Sequence, residues 1–189
     1  MLPKMLPIED KRLKVLKSYK ILDTASEKEY DDIAKLAAQI CDVPVALISF
    51  VDKNRQWFKA TEGVELCETP RDISFCSYAI EQKNDILEIQ NALFDDRFKN
   101  NPLVTSEDKP VIFYMGHKLI TKDGFSLGTL CVIDHKPRKL EQSQKDALGI
   151  LAQQIVKLLE LRQKNRKLKK TEKKLKKSNE FLRDFASTV

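Results

Sequence analysis

The chain has 189 residues, with 34 Lys and Arg against 28 Asp and Glu, for a formal net charge of +6. This length is typical of one domain, and a hydrophobic content of 42% supports a buried core, which excludes a disordered chain. The basic excess is confined to the end: residues 157–189 contain 12 basic and 4 acidic residues, while residues 1–156 contain 22 and 24. The sequence therefore divides into a slightly acidic body and a basic tail.

Two helices are predicted at the start of the chain. Apolar residues fall near one face of residues 8–20, among lysines, which indicates an amphipathic helix. Ser26 followed by Glu29 has the spacing of a capping box, and apolar residues then recur at helical spacing up to Cys41. We expect the second helix to begin at this capping box.

A buried strand and a hairpin are predicted next. Pro44 prevents further helix, and the apolar run over residues 45–51 is typical of a central strand. A turn over residues 52–55 leads to a returning strand over residues 56–60. Residues 73–80 suit a short helix.

The remaining strands lie on either side of a long polar segment. Residues 86–89 predict a brief strand, and residues 91–109 form a connection long enough to be a functional loop or to contain short helical turns. Residues 111–116 and 127–133 predict two strands joined by a turn at residues 122–124. The body is therefore an α+β domain with a mixed sheet of about five or six strands.

From Gln142 onward the chain predicts a single helix, because it contains no proline and no glycine after Gly149. Leucine recurs every seven residues at Leu161, Leu168, Leu175 and Leu182. The interleaved positions are Leu158, Asn165, Glu172, Asn179 and Ala186. This heptad pattern indicates a parallel two-stranded coiled coil, in which paired asparagines fix the register. The alternatives are a solvated helix that contacts its own domain, or a lysine-rich surface for nucleic acid or anionic lipid.

Several segments together resemble the GAF domains of bacterial sensor histidine kinases and cyclic-dinucleotide enzymes. They are residues 12–29, 44–58 (ending in V-D-K-N-R-Q-W-F), 71–80 (R-D-I-S-F-C-S-Y-A-I), 96–104, 113–116 and 128–134 (G-T-L-C-V-I-D). The resemblance implies a six-stranded antiparallel sheet with helices bundled on one face and a ligand pocket on the other. It also implies a regulatory module over residues 1–156, followed by a signalling and dimerisation helix over residues 157–189.

Residues 178–189 (S-N-E-F-L-R-D-F-A-S-T-V) are similar to the stretch before the phosphoacceptor histidine of histidine kinases. No histidine follows His135, so this chain cannot phosphorylate itself there. The two resemblances together imply a cytoplasmic two-component histidine kinase whose kinase domains and phosphorelay lie outside these residues. An input module of a cyclic-dinucleotide enzyme and a domain that only dimerises remain alternatives.

The resemblance places a set of residues at the ligand pocket: Phe50, Trp57, Asp72, Phe75, Cys76, Arg97, Phe113, Tyr114 and Cys131, with Asn101 near the rim. Some have simpler interpretations. The larger aromatic residues suit an ordinary core, Asp72 suits a helix N-cap, and Arg97 suits a local salt bridge. Successive strand residues alternate in direction, so at most one of Phe113 and Tyr114 can point into the pocket.

No cofactor is identified from the sequence, and neither bilin nor haem is expected. None of Cys41, Cys67, Cys76 and Cys131 has the neighbouring histidine of a bilin site, and His117 is the one strand-like candidate for a haem ligand. The four cysteines form no recognisable zinc pattern. An enzymatic alternative, reduction of free methionine sulfoxide, requires a nucleophilic and a resolving thiol, for which the loop-placed pair Cys67 and Cys76 is the candidate.

We expect a homodimer that forms through the C-terminal helix, binds a small molecule and contacts downstream kinase domains. No nucleic acid partner is expected, because the lysines surround the helix and few aromatic residues lie among them. No membrane association is expected either, because no segment reaches about 18 consecutive apolar residues. The N-terminus lacks a signal-peptide pattern, which indicates a cytoplasmic location and reduced, mostly buried thiols.

Overall fold

The structure, a computed structural model, describes residues 7–188. In chain order the elements are α1 (Pro7–Ser18), α2 (Lys28–Cys41), β1 (Val45–Val51), β2 (Arg55–Glu62), β3 (Glu68–Pro70), α3 (Phe75–Glu81), β4 (Ile86–Ile89), α4 (Pro102–Thr105), β5 (Phe113–Ile120), β6 (Ser126–Asp134) and α5 (Gln142–Thr188). Short 3-10 turns cover Arg71–Ile73 and Ala92–Phe94. Within residues 7–188, none of the helices is long and apolar enough to span a membrane.

The six strands form one antiparallel sheet in the order β3-β2-β1-β6-β5-β4. β1 and β6 occupy the centre, where Leu47 pairs with Cys131 and Ser49 pairs with Thr129. All seven residues of β1 are buried, as an apolar run at the centre of a two-sided sheet should be. The α+β class and the six-stranded antiparallel sheet implied by the family resemblance are confirmed. The mixed sheet expected from the order of the predicted elements is wrong, because every strand pair is antiparallel.

The sheet has a core on each face. On one face, α1, α2 and the first part of α5 cover a core that includes Leu16, Tyr30, Phe50, Trp57, Phe113 and Leu148. On the other face, α3 and the loop after β4 cover a core that includes Leu47, Phe58, Phe75, Cys76, Phe98, Tyr114 and Cys131. We call these the helix-bundle face and the α3 face.

Two details of the N-terminal helices differ from the prediction. α1 ends at Ser18, and the backbone turns at Lys20, where φ is 53°. The predicted capping box is wrong: the N-cap of α2 is Glu27, in extended backbone and without a capping hydrogen bond from its side chain. The Glu27 carboxylate instead accepts a hydrogen bond from the Lys59 ammonium on β2 at 2.8 Å.

The strands also differ at their ends. β2 extends to Glu62, and β3 pairs with its first half although no periodicity in this three-residue strand predicts it. β5 starts at Phe113 and continues to Ile120, four residues beyond the prediction. The segment of residues 91–109 contains the expected short helical turns, including α4.

α5 is one continuous helix of 47 residues, as the sequence predicts. Its first five turns or so pack on the helix-bundle face through the buried residues Leu148, Ala152, Ile155 and Leu159. Beyond Leu159 the helix leaves the sheet, so its core-facing and exposed parts belong to the same rigid element.

Candidate functional site

Four of the predicted pocket residues converge on the α3 face. Phe75 and Cys76 come from α3, Tyr114 from β5 and Cys131 from β6, and each is at most 3% exposed. β6 presents Cys131 to this face because its neighbours Leu130 and Val132 point to the helix-bundle face. The pocket prediction thus locates a real meeting point of three elements.

At the centre of this face is a group of polar side chains that we call the thiol cluster, made of Ser49, Cys76, Tyr114, Thr129 and Cys131. The Thr129 hydroxyl donates a hydrogen bond to Cys76 Sγ at 3.0 Å, and the Tyr114 hydroxyl donates to the same sulfur at 3.3 Å. Cys131 Sγ lies 3.9 Å from Cys76 Sγ. Two hydroxyl donors and a second thiol thus surround the Cys76 sulfur.

Ser49 completes the thiol cluster from β1. Its hydroxyl is fully buried and has no hydrogen-bond partner among the described residues. The Ser49 hydroxyl contributes to lowering the pKa of the Cys76 thiol, although its geometry is not that of a hydrogen bond. An unsatisfied hydroxyl in a protein interior is costly. Ser49 is therefore a donor that the thiol cluster leaves unused.

The position of Tyr114 depends on a glycine. A Cβ atom on Gly116 would lie 2.3 Å from the Tyr114 hydroxyl oxygen and 2.8 Å from its Cζ. Gly116 and Tyr114 are two residues apart on β5, on the same face, so the ring lies over the glycine. The glycine is what lets the phenol reach Cys76.

The pKa values in the thiol cluster diverge. Burial raises the pKa of the Cys76 thiol, but the hydrogen bonds from Cys131, Thr129 and Tyr114 outweigh burial and lower the pKa overall. The hydrogen bond to Cys76 and burial raise the pKa of Cys131 well above its usual value. Burial and the charge on Cys76 likewise raise the pKa of Tyr114. The hydrogen bonds to its sulfur thus set Cys76 apart from Cys131, because they move the pKa values of the two thiols in opposite directions.

Aromatic rings close the α3 face toward solvent. The rings of Phe75 and Phe98 stack with centroids 4.2 Å apart and planes within 8°, and Phe75 also contacts Tyr114 at 5.1 Å. Tyr78 meets Phe98 edge to face at 4.8 Å. These side chains fill the space between α3, the loop after β4 and the sheet.

Three other predicted pocket residues lie on the opposite side of the sheet. Phe50, Trp57 and Phe113 belong to the helix-bundle face, where the Phe50 and Trp57 rings are 6.4 Å apart. The prediction that they share a pocket with Cys76 is corrected by strand alternation: Phe113 points to one face because Tyr114 points to the other. The ordinary-core interpretation fits them.

The charged candidates lie outside the α3 face. Asp72 is exposed in a 3-10 turn, and Ser74, not Asp72, caps α3 by accepting a hydrogen bond from Ser77 N at 3.1 Å. Arg97 pairs with Asp95 at 2.7 Å on an exposed loop. Asn101 caps α4 and donates to the Ile73 carbonyl at 2.9 Å, which ties two loops together.

Two surface grooves lie away from the thiol cluster. One, of about 620 Å³, has a polar lining that includes Lys35, Asp42 and Arg138. The other, of about 390 Å³, lies between β5 and α5 and is lined by residues that include His117 and Lys157. Neither groove contains a residue predicted for the ligand pocket.

Ser49, Thr129 and Phe98 were not predicted as site residues. Thr129 could have been found from its spacing, because it lies two residues before Cys131 on a strand and therefore shares its face. Ser49 is the one polar residue in the apolar run of β1, which is also a signal. Phe98 lies in irregular backbone, where no periodicity predicts direction.

A second candidate site is the point where α5 leaves the domain. Arg162 of α5 forms an ion pair with Glu27, and the same carboxylate binds the Lys59 ammonium, whose side chain is fully buried. Burial raises the pKa of Glu27, but the charges and hydrogen bonds of Lys59 and Arg162 outweigh burial and lower it. This ion-pair triad connects β2 to the exit of α5.

The predicted heptad leucines are exposed beyond this exit. Leu161, Leu168, Leu175 and Leu182 are 53–66% exposed, and Asn165 and Asn179 are exposed between them. Leu158 differs, because it packs partly against the domain's own core. An exposed leucine seam interrupted by polar residues therefore begins at Leu161, while Leu158 remains mainly an intradomain contact.

The residues named for the enzymatic and haem alternatives lie at separate places in the fold. Cys76 lies against Cys131, whereas Cys67 is exposed on the segment before β3. His117 packs against α5 near Gly149, and its Nδ1 contacts the Lys118 carbonyl at 3.1 Å. Among residues 7–188, no group of three or more His, Cys, Asp or Glu residues could hold a metal ion.

Comparisons with known proteins agree with this architecture. A model of the GAF domain family matches residues 26–159. The GAF domain of an Acinetobacter phosphoenolpyruvate-protein phosphotransferase superposes with a TM-score of 0.59 at 16% identity, covering 82% of this chain and 94% of that one. A domain from Sinorhizobium meliloti, described as a two-component sensor histidine kinase protein, superposes with a TM-score of 0.55 at 16% identity, covering 73% and 93%. These structures show the fold.

A curated relative is more similar in sequence. It is a cyclic di-GMP phosphodiesterase of Pseudomonas aeruginosa, 39% identical over 140 residues, which are 74% of this chain. The chain spans 22% of the length of that relative. The similarity therefore concerns one part of a larger protein.

Proposed function

The chain belongs to the GAF domain family, and on this premise we propose that it is the sensory and dimerisation module of a cytoplasmic signal-transduction protein. The observation that carries the proposal is α5, which runs without interruption from the sheet core at Ile155 to an exposed leucine seam. A helix this long gains little stability from its own propensity, so its exposed seam needs a partner. The module has a regulatory role, and catalysis belongs to an attached domain.

The partner that best fits the seam is a second copy of the same helix. Leucine at one heptad position and asparagine at two of the interleaved positions favour two parallel strands, because each asparagine amide can then bond its counterpart. The interface would use Leu161, Leu168, Leu175 and Leu182, with register set by Asn165 and Asn179. The surrounding lysines stay in solvent.

Signals would pass from the α3 face to α5 through the sheet. Cys131 and Thr129 lie on the α3 side of β6, while Leu130 and Val132 on the same strand pack in the helix-bundle core with Leu148 of α5. An input that prefers one arrangement of α3 would shift the packing of β6 and thus the rotation of α5. The shift in free energy cannot exceed the difference in input affinity between the two states.

The attached effector has two candidates. Similarity of residues 178–189 to the stretch before a phosphoacceptor histidine favours a histidine kinase in a two-component phosphorelay. The 39% identity to a cyclic di-GMP phosphodiesterase favours a cyclic-dinucleotide enzyme. We retain the histidine kinase as the first candidate because its similarity lies in the output helix itself.

The experiment is a fusion of residues 1–189 to a cytoplasmic histidine-kinase core, with insertions after Leu175. An insertion of seven residues restores the heptad phase, whereas an insertion of two rotates the seam by about half a turn. We expect autophosphorylation to survive the seven-residue insertion and to fall about tenfold or more with two. Equal activity of both insertions would contradict transmission through the coiled coil. The same pair of insertions in front of a cyclic-dinucleotide enzyme tests the second effector.

The second candidate function is dimerisation without a ligand. It is favoured by the α3 face, where Phe75, Phe98 and Tyr114 occupy the space between α3 and the sheet. Ligand pockets commonly measure roughly 300 Å³ or more, so a ligand there would have to displace α3. Native mass spectrometry of the purified protein separates the two: a bound small molecule supports sensing, and an unliganded dimer supports dimerisation alone.

A further inference from the structure

Two cysteine side chains, Cys76 and Cys131, lie close together at the centre of the α3 face. Their sulfurs lie 3.9 Å apart, on α3 and β6, and 1% and 0% of the two residues is exposed. A disulfide needs about 2.05 Å between sulfurs. The two thiols are therefore neighbours that are unbonded and need about 2 Å of approach to bond.

The surroundings of the pair distinguish its members. Cys76 Sγ accepts hydrogen bonds from the Thr129 and Tyr114 hydroxyls, and the Cys131 thiol lies 3.9 Å from the same sulfur. Sulfur of a neutral thiol is a weak acceptor, so this convergence is suited to a thiolate. Thiolates, not thiols, react with oxidants. Cys76 has the environment of an attacking group and Cys131 that of its resolving partner.

Another cysteine of the chain shows that burial alone does not produce this environment. Cys41 is buried on the helix-bundle face, and burial raises the pKa of its thiol to about 11. In the thiol cluster the hydrogen bonds reverse that direction for Cys76. Burial therefore has opposite outcomes at Cys41 and Cys76, and the difference comes from the hydrogen bonds of the thiol cluster.

We propose that Cys76 and Cys131 form a peroxide-sensitive thiol pair, which hydrogen peroxide converts to an intramolecular disulfide that holds α3 against β6. The Cys76 thiolate attacks one peroxide oxygen, so that an S–O bond forms, the O–O bond breaks and hydroxide leaves. The hydroxide takes up the proton that Cys76 had released, giving water. Cys131 then attacks the resulting sulfenic acid, the S–O bond breaks, and the departing hydroxide leaves as water with the Cys131 proton.

The balance of this reaction is two thiols and one hydrogen peroxide to one disulfide and two waters. Both sulfurs are oxidised by one electron each, and the two peroxide oxygens are reduced. The oxidant comes from solution, and a cellular dithiol reductant restores the pair. Disulfides that form in a reducing compartment are typically transient and serve as redox sensors.

Burial sets which oxidants can reach the pair. Hydrogen peroxide is close to water in size and can enter when the seven-residue helix α3 opens locally. Bulky disulfide reagents need a larger opening. The packed α3 face leaves little space for a bound ligand. Oxidation by hydrogen peroxide needs no such space afterwards, because both peroxide oxygens leave as water.

Bond formation would change the α3 face. Drawing the two sulfurs about 2 Å together moves Cys76 and its neighbour Phe75, which is stacked on Phe98 of the loop after β4. Regulation of α5 by this movement rests on the proposed function, whereas the oxidation itself does not.

The test uses the full chain carrying Cys67→Ser, which removes the exposed thiol. The protein is treated with equimolar hydrogen peroxide, alkylated in denaturant and digested for mass spectrometry. We expect a peptide pair linked through residues 76 and 131 that disappears after reduction. In the native protein a bulky aromatic disulfide reagent should modify the pair at least tenfold more slowly than peroxide does. Absence of the linked peptides after peroxide would overturn the proposal.

Three variants assign the roles. Cys131→Ser should leave residue 76 as a sulfenic acid that dimedone captures, and Cys76→Ser should leave Cys131 unreactive. Thr129→Val removes a donor and should slow oxidation about tenfold. Equal dimedone labelling of residue 76 in Cys131→Ser and of residue 131 in Cys76→Ser would refute the assignment. If a variant does not fold, the linked peptide in the Cys67→Ser protein still tests whether the disulfide forms. That disulfide lies within one chain, so this result does not depend on dimerisation.

Discussion

Arg162 on α5 is ion-paired with Glu27, the carboxylate that also holds the fully buried ammonium group of Lys59. The three residues come from the output helix, the N-cap of α2 and the sheet. Rotation of α5 at its exit must therefore stretch or break a contact that also satisfies a buried charge. The ion pairs therefore hold α5 in one rotational position where it leaves the domain.

The ion-pair triad predicts the cost of losing its carboxylate. Glu27→Gln leaves Lys59 with the Ala25 carbonyl at 2.6 Å and the Thr24 hydroxyl at 3.0 Å but without a counter-charge. We expect a loss of about 1–2 kcal/mol in the free energy of unfolding, below the value for a fully buried pair because about a third of the Glu27 side chain is exposed.

The matched control for Glu27→Gln is Lys28→Gln, which breaks a pair that is 81% and 61% exposed. It should cost much less than Glu27→Gln, because both partners are exposed to solvent. Urea unfolding measures both values. A Glu27→Gln protein as stable as Lys28→Gln would mean that the triad does not hold the exit helix.

The contact of Gly116 with Tyr114 predicts a strong coupling. Gly116→Ala places a Cβ atom 2.3 Å from the Tyr114 hydroxyl, which is fully buried and cannot swing away. We expect overpacking to cost about 1–3 kcal/mol. Tyr114→Phe removes the nearest atom, so the double variant should be more stable than the sum of the two single changes predicts.

Gly124→Ala is the control for this cycle. Gly124 has a φ of 84° with nothing within 4 Å of its Cβ position, so its cost comes from backbone conformation alone. Tyr114→Phe should therefore be additive with Gly124→Ala. Additivity at both glycines, measured by thermal unfolding, would refute the contact.

Glu9 predicts a specific dependence of stability on pH. Burial raises the pKa of Glu9, but its hydrogen bonds and ion pairs with Arg12 and Arg71 outweigh burial and lower the pKa from 4.5 to about 2. A carboxyl whose pKa falls on folding stabilises the native state above its unfolded pKa. The contribution, about 3 kcal/mol, is therefore complete above roughly pH 5 and is lost as the pH falls toward 2.

Glu9→Gln isolates this contribution. The difference in unfolding free energy between the unmodified protein and Glu9→Gln should be largest near neutral pH and should shrink as the pH falls from 5 to 2. Asp96→Asn, in a pair whose carboxylate is 90% exposed, should show almost no such dependence. A Glu9→Gln difference that stays constant with pH would contradict the lowered pKa.

Replacing the asparagines of the seam should stabilise the paired helices but make their alignment less specific. Asn165→Leu combined with Asn179→Leu buries more apolar surface, so the helix should melt at a higher temperature while strand number and alignment become less uniform. Sedimentation across a concentration range reports strand number. A double variant that remains a uniform dimer in the same alignment would rule out a register role for these residues.

How far the sequence predicts this molecule depends on periodicity. The buried run of β1 and the long α5 follow from spacing alone, because each extends over enough residues to define a face. β3 has three residues and pairs only through the position of β2, so no local pattern specifies it. The capping box failed because Glu27 is used in a tertiary ion pair that the local sequence does not show.

The candidate site was predictable only in part, for a related reason. The family resemblance identifies residues near the pocket but not the face of the sheet on which each side chain lies. Strand alternation places neighbouring residues on opposite faces, and only the register of the strand against the helices shows which residue faces which core. Phe113 and Tyr114 show this, since they are adjacent in sequence and lie in opposite cores. The approach of Cys76 to Cys131 joins residues from α3 and β6, a long-range contact that spacing cannot predict.

The central claim is that α5 pairs in parallel with a second copy, and cysteine cross-linking tests it most directly. Leu161→Cys and Leu182→Cys are made separately in a Cys67→Ser background. Each variant is oxidised alone, and then the two are oxidised as a mixture. The control is Lys170→Cys, which lies on the opposite side of the helix. We predict a dimer in sedimentation, cross-linked dimers for each of the two leucine positions alone, and few for Lys170→Cys. A monomer at micromolar concentration, or cross-links that form only between positions 161 and 182 in the mixture, would contradict the account.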